Sequence, residues 1–364
     1  MRVLFCGGGT AGHIYPNLAL GETILKNDPF AKLAYVTSAG GMESLIVPYK
    51  KYEIQMVKLN KKSIFSNPIR LLNTYYKSIE QSKDIIKEFR PDIIIGTGGY
   101  ASYPVILAGH KLRKKTILLE SNLIPGKAIK MLENKVDHIF VNFEESINYF
   151  KNQNIVLRVG NPLREEYFCL DKNETKEKLL LSNKNVIVCV GGSLGAKKLN
   201  EAAMELIENY VKNNAKIVLI WGCGKKYYKA VKEELKSKRL DKLENIRVYD
   251  YIDNMPEVTA CADVVISRAG AITISELSLS GKCAILVPSP NVANNHQVKN
   301  AKILAEKNGA VLITEDKLYC LTDTVKELIL NPDKRKILEE NIKKFSVFDS
   351  NNIIYKEIIR ILHK

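Results

Sequence analysis

No Asp-X-Asp pair occurs in the 364 residues, so the carboxylates that commonly hold a metal on a pyrophosphate are missing as a motif. The seven cysteines (Cys6, Cys169, Cys189, Cys223, Cys261, Cys283 and Cys320) are odd in number and form no C-x-x-C, and several sit in apolar runs. A disulfide framework or zinc ribbon is therefore not expected, and a reducing compartment suits the chain. Long apolar runs are absent as well. Blocks such as Val186–Val190 and Ile217–Trp221 fall far short of the roughly 18 residues a membrane span needs. The opening residues run into glycines too early for a signal peptide and read as a strand. Low-complexity tracts and short-period repeats are also missing.

What is present fits a globular chain with a sizeable core: 46% hydrophobic and 26% charged residues. The length suggests two domains. The net charge is +15, which suits nucleic acid, an anionic membrane or anionic small molecules, and composition alone does not choose among them.

Short β-branched runs alternate with helix-length amphipathic stretches, the pattern of parallel sheets with crossover helices. Strands are expected at residues 3–6, 33–37, 92–96, 116–119 and 138–141, then at 186–190, 216–221, 246–249, 263–267, 283–287 and 311–314. Both halves open alike. Val3–Cys6 runs into Gly7-Gly8-Gly9-Thr10-Ala11-Gly12, and Ile187–Val190 runs into Gly191-Gly192-Ser193-Leu194-Gly195. Two doubly wound α/β domains are expected, residues 1–160 and 161–345, joined through a polar, strand-poor stretch. Ile354, Ile358 and Ile361 mark a closing helix within residues 346–364.

Gly7, Gly9 and Gly12 satisfy G-x-G-x-x-G between a strand and a helix, where backbone N–H groups can cradle a phosphate. A dinucleotide would also need a carboxylate at the end of the second strand. That strand ends Val36-Thr37-Ser38-Ala39-Gly40-Gly41, and its counterpart ends Trp221-Gly222-Cys223-Gly224. NAD and FAD are therefore not expected, and no other cofactor is implied. The bland alternative is that the glycines serve only tight turns. Further candidate turns are Gly96–Tyr100, Glu120-Ser121-Asn122 and Ser267–Ala271, the last opening a helix with Thr273 and Glu276. All follow strands, where ligands of α/β sheets bind. His13, at a glycine-bounded helix start that Pro16 suits, is a general-base candidate, with a purely structural histidine as the alternative. Asn294-Asn295-His296-Gln297 is either a sugar-binding cluster or a solvated loop, while His110, His138 and His363 show no partner spacing. With no metal motif, leaving-group charge would rest on helix N-termini and a cation such as Arg164 or Arg268.

Six stretches taken together closely resemble the MurG family of peptidoglycan glycosyltransferases. They are Gly8–Pro16, Gly98-Gly99-Tyr100, Glu120-Ser121-Asn122, Gly160-Asn161-Pro162-Leu163-Arg164, Gly191–Ala196 and Arg268–Glu276. The likeness covers nearly the whole chain in order. It implies a GT-B fold, with two Rossmann-like domains, a cleft between them and a C-terminal helix returning to the first. It also implies transfer of N-acetylglucosamine from UDP-N-acetylglucosamine to a polyprenyl-pyrophosphate-linked muramyl-pentapeptide, for peptidoglycan synthesis. By resemblance, Ser193 and Arg164 meet the diphosphate, Ile252 meets uracil, and Ala271, Ile272, Thr273, Ile274 and Ser275 bring a helix start to the phosphates. Glu276 takes the ribose hydroxyls and Gln297 the sugar, while Thr10, Ala11, Gly12, His13, Tyr100 and Asn122 line the acceptor side.

The chain departs from the family where Leu119-Glu120-Ser121-Asn122 replaces His-Glu-Gln-Asn, and where Leu194 and His296 replace Gln. The expected mechanism is an inverting, metal-independent displacement with His13 as base and Glu120 as its partner or substitute. Residues 1–160 hold 22 Lys and Arg against 13 Asp and Glu, and the remainder 33 against 27, so the first half is the more basic per residue. Lys58, Lys61, Lys62 and Arg70 surround Ile64, Phe65, Ile69, Leu71, Leu72, Tyr75 and Tyr76, and Lys111–Lys115 forms a second cluster. Both suit peripheral binding at the cytoplasmic face of an anionic membrane, with a buried helix face plus ordinary surface lysines as the alternative. Rival readings are a transferase acting on diacylglycerol, a sugar-nucleotide 2-epimerase and a non-catalytic sugar-nucleotide-binding subunit. Nucleic acid is not an expected partner, since no aromatic stacking motif or basic recognition helix appears.

Overall fold

The computed structural model describes residues 1–38, 53–57, 68–192, 194–292 and 295–363. The chain divides into two compact units. One comprises Met1–Leu163 with Val347–Lys364, the other Arg164–Ser346.

The first unit is built from β1 (Arg2–Cys6), α1 (Ala11–Asn27), β2 (Lys32–Ser38), β3 (Glu53–Val57), α2 (Pro68–Phe89), β4 (Ile93–Gly96), α3 (Gly99–Lys111), β5 (Lys115–Glu120), α4 (Lys127–Leu132), β6 (His138–Val141) and β7 (Val156–Arg158). Its strands lie in the order β3-β2-β1-β4-β5-β6-β7. All neighbours pair parallel, with Val3 opposite Leu33 on one side and Ile93 on the other. Two-residue periodicity sends Val3 and Phe5 into one layer and Leu4 and Cys6 into the other. Both layers are apolar, which is why these strands read as continuous hydrophobic runs.

The second unit comprises α5 (Glu166–Cys169), α6 (Lys172–Lys178), β8 (Asn185–Val190), α7 (Lys197–Asn209), β9 (Ile217–Gly222), α8 (Tyr228–Ser237), β10 (Ile246–Tyr249), α9 (Met255–Cys261), β11 (Val264–Ser267), α10 (Ala271–Leu279), β12 (Ala284–Leu286), α11 (His296–Glu306), β13 (Val311–Leu312), α12 (Leu321–Leu330) and α13 (Pro332–Lys343). Its parallel sheet runs β10-β9-β8-β11-β12-β13. Trp221, fully buried, anchors a core shared with Ile187, Leu199 and Ile266. The last helix, α14 (Ser350–Leu362), belongs to the first unit, where Ile354, Ile358 and Ile361 join Leu20 and Ile24 of α1.

The order in which strands are added reverses once in each sheet, between β1 and β4 and between β8 and β11. At such switch points neighbouring loops part and leave a crevice at the carboxyl ends of the strands. Two strands were not expected from the sequence. Glu53–Val57 and Val156–Arg158 are short edge strands with one neighbour each, so neither carries the two-sided apolar run of a central strand.

Candidate functional site

At the first switch point the loop after β1 meets the loop after β4. Gly99 (φ +75°) comes so close to the Gly8 carbonyl that an added Cβ would lie 2.3 Å from its oxygen. Gly9 (φ +89°) lies under the Tyr100 ring, where a Cβ would stand 2.9 Å from a ring carbon. Both glycines are there because no side chain fits. The loops are tied to the core by Asn17, whose amide donates to the Cys6 carbonyl (3.4 Å), the Tyr35 hydroxyl (3.2 Å) and Thr97 Oγ1 (3.2 Å). Tyr35 in turn donates to the Gly7 carbonyl at 2.9 Å.

His13 is held by this junction. Its Nδ1 is 3.2 Å from the Gly8 carbonyl and 3.2 Å from Thr10 Oγ1, and its own carbonyl accepts from Thr97 Oγ1 at 2.5 Å. A carbonyl can only accept, so Nδ1 carries a proton, and in the neutral ring the lone pair falls to Nε2. Nε2 lies on the Gly98 side, 3.6 Å from where a Cβ on that glycine would be. The helix begins at Ala11, so Pro16 sits inside α1 instead of in its first turn, and the Gly12 carbonyl lacks its usual intrahelical donor.

Glu120, at the end of β5, is buried and closes the loop that follows. Its Oε1 accepts from Asn122 N (2.8 Å) and Nδ2 (3.1 Å), and its Oε2 from Gly126 N (2.8 Å). Burial raises its pKa against the pull of these hydrogen bonds. Both oxygens are thus committed to shaping the loop that presents Asn122, a different arrangement from a carboxylate poised as base.

At the second switch point the loop after β8 leans the other way, onto the loop after β9. Gly195 (φ +72°) would place a Cβ 2.2 Å from the Cys223 carbonyl oxygen, and Gly224 (φ +91°) would place one 2.5 Å from Gly195. Asn200 of α7 secures the pair, donating to the Cys223 carbonyl at 2.9 Å and accepting from Trp221 Nε1 at 3.1 Å. Gly192 (φ +84°) faces open space, with nothing within 4 Å of an added Cβ. Beside it β11 delivers α10, capped by Gly270 and with no acidic residue in its first turn. The leading N–H groups of such a helix lack intrahelical acceptors and carry the positive end of its dipole. Ala271, Ile274 and Ser275 are buried, while Ile272, Thr273 and Glu276 are half-buried.

Models of the glycosyltransferase family 28 N-terminal domain and C-terminal domain match residues 3–141 and 186–354. The chain belongs to glycosyltransferase family 28. It is 38% identical, over 98% of its length and 99% of the relative's, to the UDP-N-acetylglucosamine--N-acetylmuramyl-(pentapeptide) pyrophosphoryl-undecaprenol N-acetylglucosamine transferase of Thermoanaerobacter sp. strain X514. The enzyme of the same name from Bacillus cytotoxicus is 37% identical over the whole of both chains. Among solved structures, Acinetobacter baumannii MurG superposes with a TM-score of 0.77 at 22% identity, covering 99% of each chain. A UDP-GlcNAc 2-epimerase from Neisseria meningitidis, bound to UDP-GlcNAc, gives 0.68 at 14% identity, over 99% of this chain and 100% of that one. The fold is the GT-B pairing of two Rossmann-like domains.

Within this family 28 chain the expected site residues separate by what they touch. Thr10, Gly12, His13 and Tyr100 gather at the first switch point; Ala11 starts α1, though its side chain is outside the described residues, as is Ser193 entirely. Ile252 is buried against the end of β9, beside Gly222. Gln297 accepts from Ser289 N at 2.8 Å, which ties the first turn of α11 to the chain just after β12. Arg268 is engaged by groups of the protein. Its guanidinium donates to the Val287 and Pro288 carbonyls (3.1 and 3.2 Å) and pairs with Glu315 at 2.5 Å, bracing the ends of β11 and β12. Arg164 makes no ion pair among the described residues and stands over the Tyr167 ring at 5.5 Å. Burial pushes the Glu276 carboxyl up to about 7, against the opposing pull of Arg164 and Tyr167. Asn17, Thr97, Glu315 and Tyr167 escaped the sequence reading, because each acts only through partners distant in sequence.

Proposed function

We propose that this chain transfers N-acetylglucosamine from UDP-N-acetylglucosamine to a polyprenyl-pyrophosphate-linked muramyl-pentapeptide, with inversion at the anomeric carbon. The substrates follow from the names of relatives matched across their full length. The observation that carries the chemistry is His13, held with its Nε2 lone pair beside two interlocked glycine loops. An acceptor hydroxyl gives its proton to Nε2 as its oxygen attacks the anomeric carbon. The bond from that carbon to the diphosphate oxygen breaks, and UDP leaves with the electron pair. In the second unit the start of α10, Arg164 and the open backbone at Gly192 receive the diphosphate charge. Glu276 accepts from the ribose hydroxyls, Ile252 meets the uracil and Gln297 the sugar, with Ser193 completing the loop. Glu120 acts by shaping the loop of Asn122, and Arg268 by bracing the floor under α10.

A lipid-linked acceptor calls for work at the cytoplasmic face of a membrane, as a peripheral protein. No helix among the described residues is long and apolar enough to cross one. Lys111–Lys115 follows the far end of α3 and so lies at the edge of the sheet opposite the glycine loops. It is therefore poorly placed to bring those loops to a membrane. Docking is assigned to the region ahead of and along α2, where Tyr76 is exposed and Tyr75 packs edge-on against Tyr103 at 5.7 Å. Lys58, Lys61, Lys62, Ile64 and Phe65 are outside the described residues, as are the side chains of Ile69, Arg70, Leu71 and Leu72.

Turnover of radiolabelled UDP-N-acetylglucosamine with the lipid-linked muramyl-peptide, with diacylglycerol and with no acceptor tests the reading. Sugar transferred only to the first acceptor supports it. Transfer to diacylglycerol, or free epimerised sugar without an acceptor, overturns it. Sedimentation with liposomes should increase with anionic lipid; binding indifferent to that content sinks the membrane part.

A further inference from the structure

Tyr167 belongs to none of the motifs above, yet its side chain is 6% exposed and its buried hydroxyl lies close to Glu276, Arg164 and Thr259 without meeting any of them in full hydrogen-bond geometry. It lies in α5, which packs on α10. Arg164, three residues earlier, covers one face of its ring. The groups acting on the hydroxyl are Glu276 and Arg164, with Thr259 of α9 beside it. The same two residues of this cluster, Arg164 and Tyr167, are the ones that act on Glu276. The other helices packed on α10 are α11 and α13, and neither adds a titratable group that acts on it.

A buried hydroxyl is seldom left without an acceptor, and of the two at hand, the Thr259 hydroxyl and the Glu276 carboxylate, the ionised carboxylate is the stronger. We propose that Tyr167 is a positioning residue: its hydroxyl donates to Glu276 once that carboxylate is ionised, and so aims the carboxylate at the hydroxyls of the donor ribose. The ribose clause rests on the function proposed above; the contact between the two side chains does not. Arg164, over the same ring and acting on the same carboxylate, ties the diphosphate cation to the ribose acceptor in one cluster. Protonating Glu276 replaces a charged acceptor by a weaker neutral one and adds a competing donor, so orientation and donor affinity decline together as pH falls. A hydrogen bond to the ionised form favours that form, so removing the hydroxyl should make Glu276 harder to ionise.

The test titrates Glu276 by carbon NMR in the ligand-free full chain, assigned with Glu276→Gln, and measures UDP binding by calorimetry on the same samples. In Tyr167→Phe the Glu276 midpoint should rise by about half a pH unit, and UDP affinity near pH 7 should fall about fivefold. The KM for the UDP-sugar should rise by a similar factor while kcat stays within about twofold. Tyr167→Phe should cost nothing further in the Glu276→Gln background. In the wild-type chain the Tyr167 ring carbon bearing the hydroxyl should titrate with the Glu276 midpoint, a readout that needs no variant. An unmoved midpoint in Tyr167→Phe, or a Tyr167 signal blind to Glu276, overturns the proposal. A shifted midpoint with UDP affinity that ignores Glu276 ionisation keeps the contact and overturns the donor-site reading instead.

Discussion

The two glycine loops share a sequence pattern and a positive φ at their matching glycines, Gly9 and Gly192, but meet different surroundings. Gly9 and Gly192 adopt nearly the same φ, +89° and +84°, yet one lies beneath the Tyr100 ring and the other faces empty space. The difference lies in the loop each one leans on. After β1 the chain locks onto the loop after β4, across the switch point, and His13 is held at that junction. After β8 the chain locks onto the loop after β9, away from the switch point, and a Cβ on Gly192 would meet nothing within 4 Å. One motif therefore serves two ends: holding a side chain in a fixed tautomer, and leaving backbone N–H groups for an anion.

The sharpest way to break this comparison is to remove the side chain that the first loop holds. His13→Ala should lower kcat about 10²- to 10⁴-fold and leave UDP affinity within about twofold. Steady-state kinetics beside calorimetry checks both halves of that statement. Next come the glycines at the loop junctions. Gly99→Ala and Gly195→Ala each force a Cβ into a backbone carbonyl at positive φ. Each should cost about 3 kcal/mol or more in denaturant unfolding. Gly192→Ala meets no atom, so only backbone strain of about 1 kcal/mol is expected, while a methyl group in the anion's place should weaken UDP binding about tenfold. Gly9→Ala should do the reverse, displacing Tyr100 and lowering kcat with UDP binding intact.

The smallest effect separates the half-buried Glu276 from its neighbours through pH. Its carboxyl is raised from 4.5 to about 7, so between those values the folded chain binds more protons than the unfolded one. Its contribution to stability is complete below about pH 4.5 and is lost as pH rises through about 7. Glu276→Gln should therefore gain thermal stability over the wild type at alkaline pH and not at acid pH, while losing donor affinity. An equal change in Tm at both ends would contradict the assignment.

Much of the fold was legible because central strands buried on both faces are written as unbroken apolar runs, as in Val186–Val190 and Ile93–Ile95. The edge strands β3 and β7 were not, since one-sided pairing does not demand an apolar run; the other two edges, β10 and β13, were legible only because they keep β-branched residues such as Ile246, Val248 and Val311. Strand–glycine–helix order also placed the candidate loops at the correct ends of the sheets. Which way each loop leans was illegible: it depends on Gly99 meeting Gly8 and Gly195 meeting Cys223, contacts that no local pattern announces. Arg268 shows the same limit. It follows a strand as a phosphate-binding cation would, and only the fold reveals Glu315 and two carbonyls as its partners.

The most direct measurement of this division of labour is calorimetric titration of UDP-N-acetylglucosamine into Gly192→Ala and His13→Ala, with turnover measured on the same preparations. The account predicts that Gly192→Ala binds the donor weakly, and that His13→Ala binds it like the wild type without turning it over. Normal donor binding by Gly192→Ala, or loss of binding in His13→Ala, would contradict it.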